Sequence, residues 1–96
     1  MDVSIIIPCY NEQAVIERLL GSLRDQTYPL NQMEVIIADG KSTDGTREII
    51  RRYAAAHPDL CIKLVDNQQR TIPSALNRAL EAARGEFIVR LDAHSN

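Results

Sequence analysis

The chain has 96 residues, a formal net charge of −2 and a hydrophobic fraction of 45%. This length corresponds to one domain, predicted over residues 1–96, and the composition argues against disorder. The slightly acidic balance, with no basic run longer than Arg51-Arg52, argues against a nucleic-acid partner.

The two cysteines and the N-terminus predict a soluble, cytoplasmic chain. Cys9 and Cys61 are too few and too far apart for a zinc site or a CxxC motif, so reduced thiols are expected. The first residues lack the basic region and long apolar core of a signal peptide. No apolar run reaches the length that a membrane span requires.

The first element is a predicted strand over residues 3–8, where β-branched residues are nearly continuous, as in a strand covered on both faces. Asn11 is predicted to cap the next helix. The apolar residues of that helix recur at helical spacing: Val15, Ile16, Leu19, Leu20 and Leu23.

The same pattern then repeats. A second strand is predicted over residues 34–38, and Ser42 or Thr43 is expected to cap a helix that Pro58 ends. A third strand follows over residues 61–65. Pro73 lies in the first turn of a third helix, and Gly85 ends it. The predicted inner face of this helix comprises Ile72, Ala75, Leu76, Ala79, Leu80 and Ala83.

A fourth strand is predicted over residues 87–91, which completes a regular alternation of strands and helices. Alternation with continuously apolar strands predicts right-handed βαβ units and a parallel sheet. The predicted class is α/β, a Rossmann-like three-layer α/β/α arrangement with four strands.

Ligands of such sheets bind beyond the carboxyl ends of the strands. The segments that follow the four strands are Cys9-Tyr10-Asn11-Glu12, Asp39-Gly40-Lys41-Ser42, Asp66-Asn67 and Asp92-Ala93-His94.

Three familiar ligand motifs do not fit these segments. A P-loop needs a glycine five positions before the Gly40-Lys41 pair, and Val35 stands there, inside a strand. A calcium loop needs oxygen ligands where Lys41 and Thr43 stand. The glycine-rich dinucleotide fingerprint is missing from residues 8–12.

Two acidic positions carry the clearest chemistry. Asp39, at a strand end, can accept hydrogen bonds from a base or sugar, or it can cap its own loop; Asp44 is interpreted as structural. Asp92 and His94 are separated by one residue, so both can turn toward one point. A carboxylate and an imidazole together suit Mn²⁺, or Mg²⁺ when diphosphate oxygens complete the shell.

Three ordered segments, "VSIIIPCYNE", "EVIIADGKSTDGT" and "ALNRALEAARGEFIVRLDAH", resemble the N-terminal half of family 2 glycosyltransferases of the GT-A fold. The resemblance is strongest to bacterial enzymes of exopolysaccharide or lipid-linked glycan assembly. It implies the strand order 3-2-1-4, a nucleotide-diphosphate sugar donor, with a UDP-sugar favoured, and Mn²⁺ or Mg²⁺. It also implies inversion at the anomeric carbon, a glycan or lipid-linked acceptor, and a location at the inner face of the membrane for the full-length enzyme.

By motif, the resemblance implies that Asp39 contacts the base and that Asp92, with His94, holds the metal. The implied nucleotide-sugar-binding residues are Pro8, Tyr10, Glu12, Asp39, Asn67, Arg84 and Asp92.

The chain departs from the family pattern at two places. Asp39-Gly40-Lys41-Ser42 replaces Asp-Asp-Gly-Ser, and His94 replaces an acid of the metal motif. A catalytic base is expected beyond Asn96, because an inverting transfer needs a carboxylate near the acceptor hydroxyl. The alternative is a non-catalytic nucleotide-binding module; a receiver-like domain is disfavoured because no lysine follows Lys63. Self-association through an uncovered sheet edge is also expected.

Overall fold

The computed structural model describes residues 1–69 and 71–92 and contains the predicted alternation of strands and helices. The strands are β1 (Val3–Cys9), β2 (Met33–Asp39), β3 (Cys61–Asp66) and β4 (Phe87–Arg90). The helices are α1 (Ile16–Asp25), α2 (Thr46–Ala56) and α3 (Ile72–Ala82), with a short 3-10 turn at Leu30–Gln32.

The four strands form one parallel sheet in the order β3-β2-β1-β4, which confirms the expected topology. Cys9 pairs with Asp39, and Asp39 with Asp66, so the carboxyl ends of β1, β2 and β3 are level. The segments that follow these strands therefore begin at one edge of the sheet, which we call the carboxyl edge.

Alternate residues of the central strands point to different helical layers. One face, which includes Ile7 and Ile37, packs against α1 and α2; the other, with Ile6 and Ile36, packs against α3. Burial on both faces explains why β1 and β2 are apolar at nearly every position. Within the described residues, no helix combines the length and apolar character needed to cross a bilayer.

Two predicted helix caps are wrong. α1 begins at Ile16, and Asn11 instead lies in a left-handed turn with φ 51°. α2 begins at Thr46, where the Asp44 carboxylate, rather than Ser42 or Thr43, accepts a hydrogen bond from the Thr46 amide at 3.0 Å. The side chains of Asn11, Ser42 and Thr43 instead form hydrogen bonds between the two loops. Local sequence preferences do not reveal contacts of this kind.

The predicted inner face of α3 includes more residues than the structure buries. Ala75 and Ala79 are buried, whereas Ile72 and Leu80 are 44% and 46% exposed. Small alanines let the helix approach the sheet closely, so only a narrow stripe is covered. The β4 strand is likewise less covered than its apolar sequence predicts, because it lies at the edge of the sheet.

A buried carboxylate fixes the start of β4. Glu34 is fully buried, accepts hydrogen bonds from Ser4 Oγ and the Arg84 amide, both at 2.6 Å, and pairs with Lys63 Nζ at 2.8 Å. At Gly85, a Cβ would lie 2.5 Å from the Ser4 amide nitrogen, so a side chain does not fit. The turn between α3 and β4 is thereby held against the sheet, which sets the position of β4.

Candidate functional site

The loops after β1 and β2 are tied into one unit at the carboxyl edge. The Thr43 amide donates to Asn11 Oδ1 at 2.8 Å, and the Asn11 amide donates to Ser42 Oγ at 2.8 Å. Farther on, the Glu12 amide donates to Thr46 Oγ1 at 2.9 Å. These contacts join segments more than thirty residues apart, so the position of each loop depends on the other.

Asp39 ends β2 with a fully buried side chain. Its carboxylate accepts hydrogen bonds from the Ser42 amide at 2.9 Å and from Ser42 Oγ at 2.5 Å. It also accepts from Arg47 Nε at 2.6 Å, which forms an ion pair. These contacts make Asp39 the anchor of its own loop, as one of the two sequence interpretations holds. Its contact with a base stays a prediction.

Arg47 joins Asp39 to a second carboxylate. Its Nη2 donates to Asp66 Oδ1, while the side chain of Asp66 remains 52% exposed at the end of β3. The hydrogen bond from Arg47 holds the pKa of Asp66 below its usual range, so this carboxylate is ionised at neutral pH. A buried aspartate and an exposed aspartate thus share one guanidinium.

A small cleft of about 60 Å³ lies at the carboxyl ends of β1 and β2. Tyr10, which is 44% exposed, and Cys9 are among the residues that line it. Burial, followed by the negative charge of Asp39, raises the pKa of Cys9 to about 12, so the thiol stays protonated. We call this the strand-end cleft; its lining residues are Pro8, Cys9, Tyr10, Gly40, Asn67, Thr71, Ile72 and Ala75.

Asn67, another predicted site residue, is buried beside this cleft and is 3% exposed. Its amide donates to the Thr71 carbonyl at 3.0 Å, its side-chain oxygen accepts from Ser74 Oγ at 2.6 Å, and its backbone amide donates to the Asp39 carbonyl at 2.8 Å. Asn67 therefore fixes the start of α3 relative to the end of β2.

Asp92 follows β4 toward the same carboxyl edge. The Leu91 amide donates to the Ile6 carbonyl at 3.0 Å, so the chain still runs alongside β1 just before Asp92. Because β1 separates β4 from β2, Asp92 and Asp39 lie roughly 10 Å apart across the sheet, given the usual strand spacing. The prediction of a shared edge is therefore consistent with the topology.

Of the two predicted metal ligands, Asp92 lies within the described residues. Its Oδ1 accepts hydrogen bonds from the Arg90 guanidinium at 3.2 and 3.3 Å, and 42% of the side chain is exposed. His94, the second predicted ligand, lies outside the described residues. Over residues 1–69 and 71–92 no cluster of three or more His, Cys, Asp or Glu side chains could hold a metal. A carboxylate of this kind suits Mn²⁺ or Mg²⁺ when ligand oxygens complete the shell.

Arg84 does not join the other predicted site residues. Its backbone amide bonds to Glu34 at the amino edge of the sheet, roughly 20 Å from the carboxyl edge, because β1 spans seven residues. An arginine side chain is too short to cross that distance. The structure therefore does not bring Arg84 together with the other residues predicted for the nucleotide site.

Arg47 is a site residue that sequence reasoning missed. It lies eight positions after Asp39 on a helix, where nothing in its neighbourhood marks it as part of a strand-end site. The sequence did point to Asp66, because this residue directly follows the predicted third strand, but the exposure of its side chain depends on packing.

Comparison with known proteins fits this geometry. The profile described as "Glycosyl transferase family 2" matches residues 4–96. The chain belongs to glycosyl transferase family 2. Like its family, it has the GT-A arrangement seen in its structural neighbours.

Among family relatives, the succinoglycan biosynthesis protein ExoA of Rhizobium meliloti is 47% identical over 92 residues, which cover 94% of this chain and 27% of ExoA. The mannosyltransferase PcManGT from Pyrobaculum calidifontis, solved with GDP-Man and Mn²⁺, superposes with a TM-score of 0.90 at 44% identity over 95% of this chain and 27% of PcManGT. S. aureus TarS 1-349 in complex with UDP-GlcNAc gives a TM-score of 0.78 at 32% identity, covering 97% of this chain and 26% of that chain.

These figures also show that the family 2 chain spans about a quarter of the length of the relatives it matches.

Proposed function

We propose that this chain is the donor-binding part of an inverting, metal-dependent glycosyltransferase of polysaccharide or glycolipid assembly, with a glycan or lipid-linked acceptor. The donor is a nucleotide-diphosphate sugar, with a UDP-sugar favoured. The observation that carries the proposal is topological: parallel strands in the order β3-β2-β1-β4 direct Asp39, Asp66 and Asp92 to one edge. Neighbours with this arrangement are solved with GDP-Man or UDP-GlcNAc.

The proposed site has a base end and a diphosphate end. Asp39 and Asp66 mark the base end, where a carboxylate can accept a hydrogen bond from a base. The exposed ring of Tyr10, beside Pro8 in the strand-end cleft, offers a flat apolar surface to the nucleoside. Glu12 lies in the loop after β1, and its amide donates a hydrogen bond to Thr46 Oγ1. Asn67 lines the strand-end cleft.

Asp92 marks the diphosphate end, with His94 as its proposed companion. When bound, a divalent cation there would neutralise the negative charge that builds on the departing diphosphate. The protein's own contribution is to hold one carboxylate at a fixed distance from the base end, so that a nucleoside diphosphate can span the two. Arg90 holds the Asp92 side chain through Oδ1.

The test is a thermal melt with UDP, GDP and dTDP, each with Mn²⁺ or Mg²⁺. A nucleotide at one hundred times its Kd should stabilise the protein by about 2.7 kcal/mol, which for a chain of this size raises Tm by roughly 10–20 °C. Asp92→Ala should remove the metal-dependent part of the increase. The matched control is Asp25→Ala, an exposed aspartate at the end of α1, which should leave the increase unchanged.

A Tm that no nucleotide raises, with either metal, would contradict the proposal. Binding without sugar transfer or donor hydrolysis would favour the non-catalytic module instead.

A further inference from the structure

Arg90 and Asp92 form an ion pair where β4 ends, on the side of the sheet that α3 covers. Arg90 is the register partner of Ile6, and Ile6 packs in the cluster beneath α3. Partnered residues of neighbouring strands point to the same face, so Arg90 lies on the α3 side. Asp92 follows two residues later, where the chain still runs beside β1. Residues two apart along an extended segment share a face, which brings the guanidinium next to the carboxylate.

This ion pair is held loosely. Nε and Nη2 of Arg90 both donate to Oδ1 of Asp92, at 3.3 and 3.2 Å. Charge-assisted hydrogen bonds are usually about 2.7–2.9 Å long, and a bidentate pair uses both carboxylate oxygens. The two side chains are 45% and 42% exposed, and exposed ion pairs contribute little to stability. Separating Arg90 from Asp92 therefore costs little free energy.

Arg47 shows the opposite behaviour at the same edge of the sheet. Its Nε donates to Asp39 at 2.6 Å, and the Asp39 side chain has no exposed surface. A dissolved ion cannot reach that carboxylate unless the surrounding loop moves. The carboxylate of Asp92 is open to solvent, so a dissolved ion can compete with Arg90 for it.

Two kinds of ligand would act on this pair if the proposed function holds. A guanidinium bound to Asp92 repels a divalent cation that approaches the same carboxylate, because the two positive charges would be about 6 Å apart. A diphosphate has the opposite effect, since its oxygens accept hydrogen bonds from a guanidinium. Arg90 has N–H groups to offer it, because a guanidinium carries five and the contacts with Asp92 use two.

We propose that Arg90 is an exchangeable counter-ion of Asp92, which pairs with the carboxylate in the free protein and with the diphosphate of the bound sugar donor. The inference rests on the proposed function, which puts the diphosphate beside Asp92. It predicts that loss of the guanidinium has opposite effects on two ligands. Asp92 becomes more available to a cation, whereas the diphosphate loses a partner. An arginine that only positions Asp92 would instead be needed for both ligands.

The first measurement follows the backbone amide signal of Asp92 by NMR while Mg²⁺ is added without nucleotide. Arg90→Met removes the charge and keeps a long side chain. It should bind Mg²⁺ more tightly than wild type by roughly threefold to tenfold, because a nearby positive charge that salt only partly screens is gone. The second measurement is calorimetry of UDP and of GDP with EDTA in place of metal. Here Arg90→Met should bind the tighter nucleotide about tenfold more weakly, since a charge-assisted hydrogen bond is lost.

Two further variants separate the guanidinium from net charge. Arg90→Lys should lie between wild type and Arg90→Met in both measurements, because an ammonium keeps the charge but lacks the planar fork. Arg51→Met removes the same charge from an exposed position on α2, which packs on the other face of the sheet, and should leave both affinities unchanged. Tm without ligand should change little in Arg90→Met, because the ion pair is exposed.

The possible failures are distinguishable. If Arg90→Met weakens the binding of Mg²⁺ as well as that of the nucleotide, Arg90 only positions Asp92 and the inference is overturned. If either affinity stays unchanged while UDP with Mn²⁺ still raises Tm, Arg90 does not exchange between the two partners; the inference fails and the proposed function stands. If neither UDP nor GDP binds the wild-type chain, with or without metal, the proposed function fails as well.

Discussion

Lys41 has a backbone conformation that usually belongs to glycine. Its φ of 63° lies in the left-handed region, which costs a residue with a side chain roughly 1–2 kcal/mol relative to the right-handed one. The family pattern Asp-Asp-Gly-Ser has glycine at this position, so the strain arises from the departure itself. Asn11, the other such residue in the described part of the chain, tolerates this region better and uses its side chain to hold Thr43.

Lys41→Gly is therefore expected to stabilise the fold. Removing the backbone strain stabilises the folded state by more than the additional conformational entropy of glycine in the unfolded chain destabilises it. The free energy of unfolding should therefore rise by roughly 0.5–1 kcal/mol. Urea denaturation measures this as a higher midpoint at unchanged slope. Asn11→Gly is the matched control and should destabilise, because the hydrogen bond from the Thr43 amide is lost. Equal destabilisation by both changes would refute the argument.

At the scale of elements, one buried carboxylate determines where β4 begins. Burial alone would raise the pKa of Glu34, but the hydrogen bonds from Lys63, Ser4 and the Arg84 amide lower it below its usual value. A carboxyl group with a depressed pKa in the folded state stabilises the protein above its unfolded pKa, about 4.3. That contribution is lost as the pH falls through the folded value.

Glu34→Gln should consequently reduce stability at pH 7 by roughly 1–3 kcal/mol. It should also flatten the loss of stability below pH 5, although Asp44, Asp59 and Asp66, whose pKa values are also lowered, keep some slope. Urea midpoints from pH 3 to 7 measure both effects. The control is Glu81→Gln on the exposed side of α3, which should change little. If the stability of Glu34→Gln falls as steeply below pH 5 as that of wild type, Glu34 does not contribute to the acid dependence.

Across the described residues taken together, β4 is an edge strand of the sheet with exposed apolar side chains. Phe87 is 67% exposed, and Ile88 and Val89 are each 42% exposed. The strand is also self-complementary in charge. If two copies pair in antiparallel orientation about Ile88, Glu86 of each copy lies opposite Arg90 of the other. The pairing therefore contains two contacts between opposite charges. Open edges of this kind favour pairing with another strand.

The 96-residue chain is therefore expected to self-associate through β4. Analytical ultracentrifugation should show a weight-average mass that rises with concentration, and Phe87→Glu should return it to that of the monomer. Leu80→Glu, which changes an apolar residue 46% exposed on α3, should have no such effect. A wild-type chain that stays monomeric at every accessible concentration would rule this out.

The order and type of the elements can be read from the amino-acid sequence, because continuous apolar strands alternating with amphipathic helices fit few architectures other than a parallel sheet. The same pattern shows that Asp39, Asp66 and Asp92 come at the ends of strands and therefore lie toward one edge of the sheet. Which of these carboxylates is accessible depends on packing, since the burial of Asp39 involves Arg47, eight residues away on another element. The placement of Arg84 at the opposite edge and the exposure of Ile72 were decided in the same way, because packing between distant segments leaves no local pattern.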